Sequence, residues 1–311
     1  MKIIECEQEQ WDSFVDKSLE GTVFCKSYYL KSYEKPVKYL LCEKGDRPYG
    51  GFSFVESEEG IKLMPFHVYS GIIFSDMPEM KTYKKNEIKF SVTECFADYL
   101  FSKYKEVSII NHWNIVDIRA FDWFNYHERE KGYYQASIRY TSQLDIYNPS
   151  ETINYRKSRR QMLKKSEKYA LNTEVSSDVE QLNLLHEKTF SRQNINRSET
   201  EESALRNICE NLIKNDSGCI LITYIDGKPA TAAFWGYDKY RAYYIFGATD
   251  PEFRDNETGT KNLYDSFIFL NKELGIKDID FVGINSPQRG GFKLSFGGSI
   301  VPYYIITKVL P

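Results

Sequence analysis

Two stretches of the chain repeat one alternation of apolar and polar positions. In the first half, KYLLCEKGDRPYGGFSFVESEEGIKLMPFHVYSGIIF reads as apolar strand, Gly-containing turn, strand, turn, strand. In the second half, GCILITYIDGKPATAAFWGYDKYRAYYIFGATD reads the same way. Placing Pro48 opposite Pro229 superposes the turns GDRP and DGKP at an offset of about 181 residues and sets Phe54 against Trp235. Each run is followed by a helix and a strand, NEIKFSVTECFADYLFSKYKEVSII first and TGTKNLYDSFIFLNKELGIKDIDFVGI second. In the later helix Leu263, Phe267 and Leu270, with Leu274 beyond, form a stripe suited to packing on a sheet, and Gly275 is placed as its stop. The recurrence predicts a duplicated, mixed α/β architecture. Its joint is expected near 135–150, where the alternating stretch ASIRYTSQLDI gives way to YNPSETI, with Pro149 breaking the strand and Ser150 as N-cap of the next helix.

A length of 311 residues agrees with two domains, and 41% apolar with 27% charged residues describes a folded chain. The formal net charge of −3 supplies no global attraction to nucleic acid or anionic lipid, so such binding requires a local patch, and no DNA partner is expected. The start MKIIECEQEQWDSF shows no secretory signal and no run reaches the ~18 apolar residues of a membrane span, so the expectation is a cytoplasmic protein. Six cysteines (6, 25, 42, 95, 209, 219) are too scattered for a zinc site or a disulfide framework and are expected to be reduced. Histidines 67, 112, 127 and 186 form no closely spaced pair, so no metal is expected.

Three segments carry candidate chemistry. In PEFRDNETGTKNLYDSF, Arg254 and a polar loop precede Thr258, Gly259 and Thr260 at a helix start, where free N–H groups and the helix dipole suit a pyrophosphate; simple capping is the alternative. NYRKSRRQMLKKSEKYA places Arg156, Lys157, Arg159, Arg160, Lys164, Lys165 and Lys168 on a predicted helix, with 156, 160, 164 and 168 as an i, i+4 ladder. Those cations suit a nucleotide diphosphate, CoA phosphates or an RNA backbone, against the alternative of a solvated face. Finally, strand IDFVGI leads into NSPQRGGFKLSFGGSIVPYYIITKVLP, where Asn285, Ser286, Arg289, Phe292 and Lys293 lie on glycine-punctuated chain beyond a strand end, the place where open α/β sheets bind ligands. Tyr303 and Tyr304 follow as candidates for ligand contact.

Together the repeat, the basic helix and the ending GFKLSFGG resemble the FemA/FemX-like branch of tandem GNAT-fold acyltransferases. The motifs that carry the likeness are TSQLDIYNPSETINYRKSRRQMLKKSEKYALNTEV, DPEFRDNETGTKNLYDSF and VGINSPQRGGFKLSFGG. The resemblance implies two tandem GNAT-like domains, residues 1–146 and 147–298, with 299–311 returning to complete the N-terminal sheet. It implies transfer of an acyl or aminoacyl group to an amine on a cell-envelope precursor or nucleotide-linked amino sugar. Phe292 and Lys293 would occupy the catalytic turn, with Lys293 stabilising an oxyanion. Lys26 or Lys31 and Arg159 or Arg160 would hold substrate phosphates, and Asn285, Arg289 and Tyr303 would contact substrate. Acyl-CoA is the expected donor, bound by Arg254, Thr258, Gly259 and Thr260. The loop RDNETGT has one glycine where the fuller CoA pattern has two, and the segment 176–215 is too short for the long coiled-coil arm of some aminoacyl-tRNA-using members. An aminoacyl-tRNA donor and a non-catalytic nucleotide-sugar or precursor binder are the alternative readings.

Overall fold

The computed structural model describes residues 1–191 and 198–311. The chain divides into two compact units, residues 1–139 with 302–311 and residues 140–301. In chain order the first contributes β1 (Lys2–Glu5), α1 (Gln8–Lys17), α2 (Ser27–Leu30), β2 (Val37–Lys44), β3 (Arg47–Val55), β4 (Gly60–Ile61), β5 (Ile73–Phe74), α3 (Thr82–Lys103), β6 (Glu106–Ile110) and α4 (Arg119–Asp122). Strand β7 (Tyr133–Asp145) carries the chain into the second unit, where α5 (Lys157–Ser166), β8 (Leu171–Ser176), α6 (Val179–Ser191), α7 (Glu199–Lys214), β9 (Gly218–Ile225), β10 (Lys228–Tyr237), β11 (Ala242–Thr249), α8 (Thr258–Lys272), β12 (Asp278–Asp280) and α9 (Pro287–Leu294) follow. Strand β13 (Ser299–Val309) leads back.

The first unit holds an antiparallel sheet of order β1-β2-β3-β5, and β6 pairs parallel with β4 and antiparallel with β13, Ile110 opposite Ile305. The returning strand thus pairs with β6 of the first unit, outside the β1-β2-β3-β5 sheet. Its core packs α3, through Val92, Phe96 and Leu100, with Leu40, Phe52, Ile109 and, from β13, Ile306. Lys308 on the same strand donates to the carbonyls of Phe101 and Tyr104 at the end of α3.

In the second unit the order is β8-β9-β10-β11-β12, with the last residues of β7 antiparallel to β12, Leu144 opposite Ile279. The α8 stripe of Leu263, Phe267 and Leu270 is buried against Trp235, Phe281 and Phe296, and Gly275 ends that helix region in the left-handed conformation, φ 68°. Hairpins β2–β3 and β9–β10 occupy the places that the repeat assigned to them, but their turns differ. Gly45 alone has positive φ in the first, whereas both Asp226 and Gly227 do in the second, as each order of Gly and Asp permits.

The sequence reading needs three corrections. The third strand of the first run is reduced to β4 and β5, two residues each. Ser150 caps no helix, since α5 starts at Lys157 and ends before Lys168. The strand expected over IDFVGI stops at Asp280, because Val282 and Gly283 take φ of 53° and 102°, which no strand accommodates.

Candidate active site

The site of interest grows from that early strand end. Strands β11 and β12 pair in parallel at only two positions, Ala242 with Ile279 and Tyr243 with Asp280. Beyond them β11 continues to Thr249 along β10 while the chain after Asp280 turns away, and a gap opens. On the β10 side the register slips between Phe234 and Trp235, so that Ile245 is left without an opposite residue. The divergence exposes carbonyls of residues 281–283 that would otherwise be ladder partners, and buried carbonyls require donors.

Lys293 supplies them. Its Nζ donates to the carbonyls of Phe281 (2.6 Å) and Gly283 (2.9 Å) and lies 5.3 Å from the centre of the Tyr244 ring. The Tyr244 hydroxyl in turn covers Gly247, where a Cβ would lie 1.6 Å from it, so a side chain at 247 would displace the ring. Burial pushes the Lys293 ammonium down to about 8; Asp280 works against that shift and Arg289 adds to it. The group is therefore a cation near neutrality that can lose its proton at mildly alkaline pH.

Phe292 and Lys293 lie on helix α9, not in a turn as the resemblance implied. Pro287 opens this helix, and Gly290 lets it lie directly on the preceding segment, because a Cβ there would stand 2.3 Å from the carbonyl oxygen of Ile284. That close approach brings Lys293 within reach of Phe281 and Gly283.

Thr258, Gly259 and Thr260 open α8 as expected, with Glu257 before them at φ 61°. Both threonines are buried and engaged: Thr258 accepts from Thr231 (2.8 Å), and Thr260 accepts from the guanidinium of Arg159. Arg159, buried on α5, also donates through Nε to Ser295 Oγ (2.8 Å), and its guanidinium lies 4.4 Å from the Phe292 ring centre. Burial depresses the Arg159 pKa, with Glu257 opposing. This arginine joins α5 to α8 and the end of α9, while its neighbour Arg160 faces solvent, as do Arg156, Lys157, Lys164 and Lys168. Lys165 pairs with Glu257 at 3.1 Å. Arg254 and Arg289 are exposed, and the Asn285 carboxamide exchanges hydrogen bonds with the backbone N–H (2.9 Å) and C=O (3.0 Å) of Tyr140.

The remaining candidates lie in the first unit. Lys26 pairs with Asp16 at 2.6 Å, Lys31 donates to Gln8, and Tyr303 is buried with its ring edge-on to Tyr69, centres 5.7 Å apart. The structure thus collects Arg159, Thr258, Gly259, Thr260, Phe292 and Lys293 in one unit. Residues of this site that escaped the sequence reading include Tyr244, Thr141, whose hydroxyl donates to the Asp280 carboxylate (2.5 Å), and Asp280 itself. The last had a visible signal, an acidic residue inside the otherwise apolar run IDFVGI. Among the described residues no group of three or more His, Cys, Asp or Glu is placed to hold a metal ion.

Residues 153–293, from just before α5 to Lys293 itself, match the acetyltransferase (GNAT) domain family model. The crystal structure of FemX aligns over 98% of this chain and 97% of its own, with a TM-score of 0.69 and 14% identity. The chain has the FemX-like tandem GNAT fold. Other solved structures align with this chain at lower TM-scores. The C-terminal domain of a putative lysylphosphatidylglycerol synthetase from Agrobacterium fabrum covers 96% of this chain and is itself covered to 90% (TM-score 0.58, 11% identity). A tandem GNAT protein of the clavulanic acid biosynthesis pathway covers 99% and is covered to 98% (TM-score 0.52, 9% identity). No curated protein matches the sequence. Among the described residues of this tandem GNAT chain, no helix is long and apolar enough to cross a membrane.

Proposed function

We propose that this chain is an acyltransferase that moves an acyl or aminoacyl group onto an amine, with Lys293 stabilising the oxyanion formed when the amine attacks the donor carbonyl. The observation that carries the reading is the Lys293 ammonium at the divergence of β11 and β12, held by two backbone carbonyls and, among the described residues, by no carboxylate in direct ion pair. A cation so held exchanges weak neutral partners for a developing negative charge without breaking a salt bridge. Attack by the amine forms the C–N bond and places the electron pair on the carbonyl oxygen; collapse expels the thiolate or alkoxide of the donor, and the amine proton leaves to solvent or to the leaving group.

Acyl-CoA is the donor favoured by the start of α8, where Gly259 leaves room, a Cβ there meeting only Thr249 Oγ1 at 3.5 Å and Phe292 at 3.9 Å. The aminoacyl-tRNA reading draws support from the five solvent-facing cations at 156, 157, 160, 164 and 168. The acceptor is proposed to be an amine on an envelope precursor or a nucleotide-linked amino sugar.

Calorimetric titration with acetyl-CoA and with aminoacyl-tRNA, followed by turnover assays across amine acceptors, tests this. The Lys293→Ala variant should lose about 100-fold or more in kcat/KM, the usual cost of removing one oxyanion donor. A loss under tenfold removes Lys293 from the chemistry, and no binding of either donor refutes the transferase reading.

A further inference from the structure

The residues that hold Lys293 have a support of their own. Asp280 is fully buried at the last position of β12, where its Oδ1 accepts from Thr141 Oγ1 (2.5 Å) and from the backbone N–H of Val282 (2.7 Å). Thr141, also fully buried, accepts in turn from the N–H of Gly283 (3.1 Å). These bonds fix Val282 in the left-handed region, an unusual place for a β-branched residue, and Gly283 beyond it. The outcome is that the Phe281 and Gly283 carbonyls both point at Lys293 Nζ.

We propose that Asp280 and Thr141 form a positioning pair for Lys293: the carboxylate and hydroxyl lock the 281–283 turn that presents its carbonyls to the ammonium. The proposal rests on the reading of Lys293 as the oxyanion-stabilising group, and gives that group its support. Among the described residues, the charged and titratable groups that act on or touch Lys293 are Asp280 on β12, Arg289 on α9 and Tyr244 on β11. Burial and Arg289 favour the neutral amine, so Asp280 alone among them favours the cation.

Competitive acetylation with trace acetic anhydride, read peptide by peptide in a mass spectrometer from neutral to alkaline pH, gives the titration of Lys293 in the intact chain without any substrate. Asp280→Asn should lower that midpoint by about one unit, cutting the ammonium fraction near pH 7.5 about threefold. Thr141→Val should lower it as well, by releasing the Gly283 N–H and the Asp280 carboxylate and so loosening the turn that aims the Gly283 carbonyl, and Thr141→Ser should restore it. If the Asn variant does not fold, the Val and Ser pair decides. A folded Asp280→Asn or Thr141→Val protein whose Lys293 titrates as in the parent overturns the proposal. The two readings fail separately: a Lys293→Ala enzyme with full activity ends the catalytic role while the titration shift stands.

Discussion

Helix α9 contains two adjacent glycines in unlike surroundings, and the contrast allows a clean steric test. Gly290→Ala would put a methyl 2.3 Å from the carbonyl oxygen of Ile284 and 3.0 Å from its carbon. Backbone is the obstacle, so no side-chain rotation relieves it. Gly291→Ala meets nothing within 4 Å. Both substitutions gain about 0.5–1 kcal/mol of helix preference, so that gain cancels when the variants are compared with each other. The difference between them is then the overpacking at position 290, about 1–3 kcal/mol. At roughly 2–4 °C per kcal/mol for a unit of this size, the Gly290→Ala protein should melt about 2–12 °C below the Gly291→Ala protein, with the latter at or slightly above the parent. Differential scanning calorimetry on the three proteins gives the comparison directly. Equal melting of the two variants would mean that α9 does not rest on Ile284, and with it the placement of Lys293 would fall.

Further tests address other parts of the molecule. His67 is buried, its Nε2 3.2 Å from the Phe24 carbonyl, and burial pushes its pKa down to about 4. The unfolded chain therefore binds the proton first, so stability contributed at neutral pH is lost as pH falls from about 6.5 toward 4; urea unfolding at pH 5 should show about 2 kcal/mol less than at pH 7, a difference that His67→Gln should remove. Arg159→Lys should cost about 2 kcal/mol, since an ammonium does not reproduce the fork to Thr260 and Ser295, whereas Arg159→Met should keep much of the packing on Phe292; chemical denaturation that finds Lys the milder change would refute the tie. For the RNA reading, replacing Arg156, Arg160 and Lys164 by Gln should flatten the slope of log affinity for tRNA against log salt by about 2, at about 0.7 per phosphate contact; an unchanged slope would place the RNA elsewhere.

Much of the fold could be read from the chain because its cues are local. Strand alternation and turn residues located β2–β3 and β9–β10, and the stripe at Leu263, Phe267 and Leu270 located α8. The divergence of β11 from β12 could not be read, since it depends on how Asp280, Thr141 and Gly283 meet across chain segments far apart in sequence. The role of Gly290 could not be read for a related reason: a glycine required by a neighbour's carbonyl is indistinguishable, in sequence, from one required by its own φ. Arg159 and Arg160 were likewise interchangeable on paper, and only packing against Phe292 and Thr260 separates the buried one from the solvated one.

The return of β13 has a consequence for how the polypeptide comes off the ribosome. Domains ordinarily mature in the order of their synthesis. Here the first unit lacks the partner of β6, the core residue Ile306 and the lysine that caps α3 until residues 302–311 emerge, by which time all of the second unit has been made. The earlier-synthesised half is therefore the later to close, and a nascent chain spends much of its translation with one edge of β6 lacking its strand and open to pairing with another chain.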